Sequence, residues 1–231
     1  MANILEINNL TKKYGKKLAL NDFSLEAESG KVIGILGPNG SGKTTLIKIL
    51  TGLIHETSGS VLIDGEKPGA YTKSIISYLP DRNFLYKWMS VKDAINFYND
   101  FFIDFNEKKA YELLEFMNLD KNMAIEDMSK GMKEKLNLSL VLSREAKLYI
   151  LDEPIAGVDP IARDQILDAI INNYRKESTV LITTHLVKDM ESIFDEVIFL
   201  SEGQILLSGN ADDLRDERKM QIDDLYKDIL S

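Results

Sequence analysis

The octet Gly37-Pro38-Asn39-Gly40-Ser41-Gly42-Lys43-Thr44 follows a mostly apolar run, Lys31 to Leu36, and precedes Thr44 to Leu53, where Leu46, Ile47, Ile49, Leu50 and Leu53 recur at helical spacing. A glycine-rich turn between a buried strand and a helix N-terminus is the setting in which Gly-x-x-x-x-Gly-Lys-Ser/Thr wraps a chain of phosphates. Each residue type has a physical reason. Glycines let successive backbone N–H groups turn inward, and the helix terminus adds positive partial charge. Lys43 supplies a full charge for the β and γ phosphates, and the Thr44 hydroxyl is a ligand for Mg²⁺. The predicted nucleotide contacts are therefore Gly37, Pro38, Asn39, Gly40, Ser41, Gly42, Lys43, Thr44 and the adjacent Thr45.

Further along, Leu148-Tyr149-Ile150-Leu151-Asp152-Glu153 is an apolar strand ending in two acids. Parallel sheets bind ligands beyond the carboxyl ends of their strands, so these acids are expected beside the phosphate loop. Asp152 suits the Mg²⁺ shell, and Glu153 suits a general base that polarises the attacking water. Acids also follow strands as ordinary solvated turn residues; the pairing with the phosphate loop is what favours chemistry. His185 ends the strand Val180 to Thr184, faces the same edge as Lys43 and Glu153, and is placed to sense the γ-phosphate. His55, in the loop-like stretch His-Glu-Thr-Ser-Gly, reads as a surface group.

Outward from these motifs the chain alternates strand and helix. Short strands are expected at Ile4 to Leu10, Ala19 to Ala27, Val61 to Asp64 and Ser74 to Leu79, then helices from Ser90, with Asp93 as its capping partner, to about Arg144. Strands at Leu148 to Leu151, Thr179 to Thr184 and Glu196 to Leu200 alternate with helices near Ile161 to Arg175 and Lys188 to Phe194, which implies parallel pairing. Asp159-Pro160 reads as a helix start, Ser201 to Gln204 as a hairpin turn, and Ala211 to Ser231 as a charged helical tail. The expected class is α/β: a P-loop core with a mostly parallel sheet, an N-terminal antiparallel β subdomain and a helical insert. No linker or repeat interrupts it, so residues 1–231 are read as one domain with a helical subdomain at about 85–145 and a tail at about 211–231.

Composition bounds the partners. With 44% hydrophobic residues among 231, the chain is long enough to bury a sizeable core. A formal net charge of -9 opposes a broad nucleic-acid footprint, because a phosphate backbone is repelled by most of such a surface. Zero cysteines exclude disulfides, thiolate metal sites and a cysteine nucleophile, as suits the cytoplasm. The start lacks the pattern of a secretory signal, and runs such as Val32 to Leu36 are too short to span a bilayer. Any membrane role is expected to come through a partner.

From about Ile4 to Leu214 these elements, in this order, resemble the ATP-binding cassette family. The resemblance places Tyr14 where the family stacks an aromatic on adenine. Met128-Ser129-Lys130-Gly131-Met132 stands where the family has its signature, usually Leu-Ser-Gly-Gly-Gln; Ser129 and Gly131 match, while Lys130 and Met132 depart. The family's signature closes on nucleotide bound by the opposite subunit of a head-to-tail dimer. Ala156-Gly157-Val158-Asp159 resembles the dimer-contact loop, with Ala156 where serine is common. Asp81, after Leu79-Pro80, replaces a glutamine that in the family reaches Mg²⁺ and the water; an aspartate can ligate the metal but is shorter and charged. The resemblance implies an ATPase needing ATP and Mg²⁺, a homodimer or a heterodimer with a homologue, and a separate transmembrane permease. It implies a cytoplasmic subunit held on the inner face of the membrane, with a lean toward export. The rivals are a cassette ATPase acting as a cytosolic clamp and a P-loop kinase for a small molecule. The kinase gives no reason for Ser129, Gly131, the 156–159 loop and His185 to stand where they do.

Overall fold

The computed structural model describes residues 3–174 and 177–230. In chain order the elements are β1 (Asn3–Tyr14), β2 (Lys17–Glu28), β3 (Val32–Leu36), α1 (Lys43–Leu50), β4 (Ser58–Ile63), α2 (Ala70–Ile75) and β5 (Ile76–Leu79). Then come α3 (Val91–Phe101), α4 (Glu107–Phe116), α5 (Lys130–Leu142), β6 (Leu148–Asp152), α6 (Pro160–Asn173) and β7 (Thr179–Thr184). The chain finishes with α7 (Val187–Met190), β8 (Glu196–Ser201), β9 (Gln204–Asn210), α8 (Ala211–Arg218) and α9 (Ile222–Leu230). One sheet has the order β2-β1-β4 and is antiparallel; the other runs β5-β6-β7-β3-β8-β9, parallel except for β9.

The central strands are apolar throughout because both faces of their sheet are covered. Alternate side chains divide between two cores. Ile33, Ile35, Leu148, Ile150, Leu181, Ile198 and Leu200 face α1 and the antiparallel sheet. Val32, Leu36, Tyr149, Leu151, Val180, Ile182, Val197 and Phe199 face the cluster that holds α5, α6 and the C-terminal helices. Register then brings the functional strand ends level: Leu36 is opposite Thr184, Asp152 opposite Thr183, and Leu79 opposite Leu151.

Arg144 fastens the helical insert to this sheet. It is 4% exposed, pairs with both oxygens of Asp104, donates to the carbonyls of Ser74 and Ile76, and stacks 4.1 Å from the Phe102 ring. A buried guanidinium is tolerable when its donors are spoken for in this way.

Several boundaries differ from expectation for identifiable reasons. β1 and β2 are 12 residues each, far longer than the alternation suggested. The residues added are chiefly Thr11 to Tyr14 and Lys17 to Leu18, a lysine-rich hairpin end without apolar alternation. Bulges at Asn9 (φ 48) and Asp22 (φ 56), joined by an Asn9 Nδ2–Asp22 Oδ1 hydrogen bond of 2.7 Å, lie within the expected spans. Ser74 and Ile75 belong to α2, not to a strand: Gly69 N donates to Thr72 Oγ1 (2.8 Å), which closes a helical turn before β5 begins at Ile76. The first helix ends at Leu50, where Gly52 turns the chain at φ +64 and leaves Leu53 exposed. Lys188 to Phe194 splits into α7 and a 3₁₀ turn, Glu191–Ile193. α6 stops at Asn173, and Arg175 lies outside the described residues. The tail is two helices broken at Lys219 (φ 58), and Ser231 is likewise outside.

Candidate nucleotide site

The phosphate loop hangs between β3 and α1 with Gly40 at φ +86 and Gly42 at φ +117. At Gly42 a Cβ would stand 2.5 Å from the Ala19 carbonyl oxygen, and at Gly37 only 2.3 Å from that of Leu200. The glycines thus serve close packing of backbone on backbone as well as turning. Lys43, 6% exposed in its side chain, folds back so that Nζ donates to the carbonyls of Gly37 (2.6 Å) and Pro38 (3.2 Å) and lies 3.5 Å from Glu153 Oε1. Burial pulls the Lys43 pKa below the ordinary lysine value, partly opposed by the charge of Glu153. Thr44 and the three residues Pro38, Asn39 and Gly40 are open to solvent beside it.

β6 delivers the acids. Asp152 is 1% exposed; its Oδ1 accepts from Thr183 Oγ1 at 2.6 Å, while Oδ2 has no partner among the described residues. Burial pushes the Asp152 pKa up, with the charges of Asp81 and Glu153 adding to it and the Thr183 hydrogen bond and Lys43 opposing. Glu153 sits at φ +52, a left-handed conformation that turns its carboxylate out of the strand and back toward the loop. Its Oε2 accepts from His185 N at 3.3 Å and faces His185 Nδ1 at 2.9 Å. Lys43 from the start of α1 and His185 from the end of β7 therefore meet at the carboxylate of Glu153, which follows β6.

The donor set fits Mg²⁺. Thr44, Asp152 and Asp81 offer only oxygen, and the orphaned Asp152 Oδ2 is an acceptor awaiting a cation or one of its waters. Among the described residues no group of three or more His, Cys, Asp or Glu side chains could hold a metal ion by itself.

Tyr14, Thr45 and Asp81 line the same cleft, of about 250 Å³, with Lys43, Thr44 and Glu153. Tyr14 is 47% exposed with Lys12 Nζ 5.2 Å from its ring, so one ring face engages a cation. A larger hollow of about 330 Å³ lies instead between the helical insert and β5, lined by Leu53, Tyr98, Phe102 and Arg144, and holds none of these groups.

Ser129 and Gly131 do not line the cleft of their own chain. Ser129 caps α5, its Oγ accepting from Met132 N at 3.2 Å. The Lys130 ammonium lies against Gly157, and Gly131 faces the Asp159 carboxylate, so the start of α5 is packed on the 156–159 loop. Sequence reading missed Thr183, whose hydroxyl holds Asp152; the signal available was a polar residue at the end of an apolar strand. It also missed Ala19 and Lys17, which reach the loop only because the β1–β2 hairpin folds over it.

Asp152→Asn separates the site's chemistry from stability. A raised carboxylate pKa means the folded chain holds its proton more tightly than the unfolded chain. That contribution is complete below the unfolded pKa and is lost as pH rises through the folded value. At neutral pH the buried charge therefore opposes folding, and asparagine keeps an oxygen for Thr183 without it. The expected outcome is a melting temperature higher by on the order of a few degrees for the nucleotide-free chain, with Mg²⁺-dependent turnover lost. A lower melting point, or intact turnover, would contradict this account.

A family model described as ABC transporter matches residues 20–156. The lantibiotic transport ATP-binding protein SrtF of Streptococcus pyogenes is 35% identical over 213 residues, spanning 90% of this chain and 92% of that protein. The linearmycin resistance ATP-binding protein LnrL of Bacillus subtilis (strain 168) is 31% identical over 219 residues, spanning 91% of this chain and 70% of the other. A solved structure described as an ATP-binding subunit of an ABC transporter superposes with a TM-score of 0.88 at 26% identity, over 99% of this chain and 100% of that one.

Proposed function

The chain belongs to the ABC transporter family as an ATP-binding, ATP-hydrolysing subunit, and from that premise we propose how its residues divide the work. The carrying observation is the convergence of Lys43, Asp152, Glu153 and His185 at one edge of the sheet. Lys43 and the loop amides hold the β and γ phosphates, and Tyr14 stacks on the base. Thr44 and Asp152 hold Mg²⁺, which when bound draws charge from the phosphate oxygens. Glu153 accepts the proton of the attacking water, with His185 holding its carboxylate in place. Asp81, which lines the same cleft, would offer a further oxygen to that ion.

Ser129 and Gly131 act in trans. With Ser129 exposed and Gly131 half-buried beside the 156–159 loop, and both absent from their own cleft, they are placed to close on ATP bound by a second subunit, identical or homologous. The permease docks at the insert, which borders the apolar hollow and also presents Tyr86 and Trp88, rings stacked at 5.8 Å and well exposed. Closure of the dimer would move this face through the Asp81 loop. No helix among the described residues is long and apolar enough to cross a membrane; attachment to the inner face is assigned to that partner. The names of SrtF and LnrL, one a lantibiotic transporter subunit and one a linearmycin resistance protein, support export of antimicrobial compounds.

Isolation from membranes in mild detergent tests the reading. The tagged chain is expected to bring down a multi-span protein in fixed stoichiometry, with turnover that requires Mg²⁺ and is stimulated by that partner. A chain recovered only from the soluble fraction, hydrolysing ATP as a monomer with Ser129→Ala and Gly131→Ala at the parent rate, would sink it.

A further inference from the structure

The C-terminal helices lie beyond the catalytic motifs in sequence, yet they pack on the element that carries His185. α7 begins at Val187, two residues after that histidine, and the intervening Leu186 is tied back by its N–H to Thr184 Oγ1 at 2.9 Å. α7 is therefore a short lever on the His185 ring. Three contacts set its position. Arg163 Nη1 grips Asp189 at 2.7 Å while its Nε donates to the Val158 carbonyl at 2.9 Å, linking α7 to the 156–159 loop. On the far side, Glu191 Oε2 accepts from the N–H of Asp223 in the first turn of α9 at 3.0 Å, and Arg215 of α8 donates to the Glu191 carbonyl. Between these, Val187 and Met190 are buried against Ile222 and Leu225 in one core.

Tyr226 completes the connection. Its ring lies 6.3 Å from that of Phe199, a fully buried residue of β8 paired in register with Leu36, the last residue before the phosphate loop. Burial raises the Tyr226 pKa, and the charges of Glu153 and Asp223 add to the rise.

We propose that α9 is a positioning element for the hydrolytic pair, with Tyr226 anchoring α9 on β8 and Glu191 tying the end of α7 to α9, so that α7, and through it His185, is held against Glu153. This regulates the site assigned above and rests on the reading of Glu153 as base. A group held to within a fraction of an ångström is what orientation-dependent catalysis demands, and α7, of 4 residues, is too short to hold its place without neighbours. The tail thereby becomes a handle: whatever loosens α9 slows hydrolysis without releasing ATP.

The test uses the intact chain in complex with its permease. Glu191→Ala and Tyr226→Ala are each expected to lower kcat about 10-fold while KM for ATP stays within about two-fold, because no phosphate-loop contact is touched. Tyr226→Phe is expected to keep the parent kcat, since the ring fills the same space. On a His185→Ala background, Glu191→Ala is expected to add nothing, as befits a residue acting through that histidine. Parent kcat in both alanine variants, additive losses in the double variant, or a loss carried by KM would overturn the proposal. Should Tyr226→Ala fail to fold, the partly exposed Glu191→Ala and its cycle with His185 decide the matter. Glu153→Gln measured alongside separates the two readings: at parent rate it removes the base assignment and this proposal together. Stalled hydrolysis there, beside undiminished Glu191→Ala and Tyr226→Ala, removes this proposal alone.

Discussion

Glu153→Gln binds ATP at least as tightly as the parent and hydrolyses it roughly 10²–10⁴-fold more slowly, the range lost when a positioned general base is removed. Glutamine has the same shape and keeps an oxygen for the His185 N–H, which now donates to Glu153 Oε2 at 3.3 Å. What it lacks is the capacity to take a proton from water. Binding is spared for an electrostatic reason. Glu153 lies 3.5 Å from Lys43 Nζ, so its charge competes with the γ-phosphate for the same ammonium. Neutralising it leaves Lys43 to the nucleotide. With the bond uncut, ATP stays between the two subunits, and a nucleotide-dependent dimer accumulates. Single-turnover hydrolysis and size-exclusion chromatography with and without ATP check both halves. Turnover at the parent rate would falsify the assignment of the base.

Lys43→Ala fails one step earlier. Truncating one partner of a buried, hydrogen-bonded charge pair costs about 2–5 kcal/mol, so the affinity for ATP should fall at least about 30-fold. The fold should survive, because the buried ammonium is held against a burial penalty that lowers its pKa and is satisfied chiefly by the carbonyls of Gly37 and Pro38. Removing it takes away a charge the nucleotide-free chain gains little from. By the same linkage, the parent chain's stability rises with pH as Lys43 loses its proton, in the window between its lowered value and the ordinary 10.5. Calorimetric titration with ATP and a thermal melt separate the two effects. Unchanged affinity would mean that Lys43 does not grip phosphate.

The two experiments also discriminate the rivals. A small-molecule kinase would lose phosphoryl transfer in both variants but would form no nucleotide-trapped dimer in Glu153→Gln. A cytosolic clamp would form the dimer but would recover no multi-span partner from membranes.

Much of the site was legible because its signals are short and local. The octet from Gly37 to Thr44 needs particular residue types at particular backbone angles, and Asp152 with Glu153 needs only an apolar strand before it. Where the period was broken, reading failed. The expected strands stop at Leu10 and start at Ala19, short of the hairpin ends at Tyr14 and Lys17, where Lys12, Lys13, Lys16 and Lys17 erase the alternation. The expected strand before Leu79 runs back over Ser74 and Ile75 because the six residues of α2 are too few to display a helical period. The tail was legible as helix, since Ile222, Leu225 and Ile229 keep helical spacing. Its break at Lys219, where φ is 58, was not.

What the residues announced unaided was the chemistry available: a phosphate-binding loop after β3, two acids together at the end of β6 and a histidine after β7, each following an apolar strand. Packing alone settled which of them touch. The 2.9 Å approach of His185 to Glu153, the Thr183 hydroxyl on Asp152, the Lys130 ammonium against Gly157 and the grip of α9 on α7 join residues distant in sequence. Such contacts follow from strand order and from which face each strand turns to each core. Those are properties of the whole sheet, and no short window of sequence contains them.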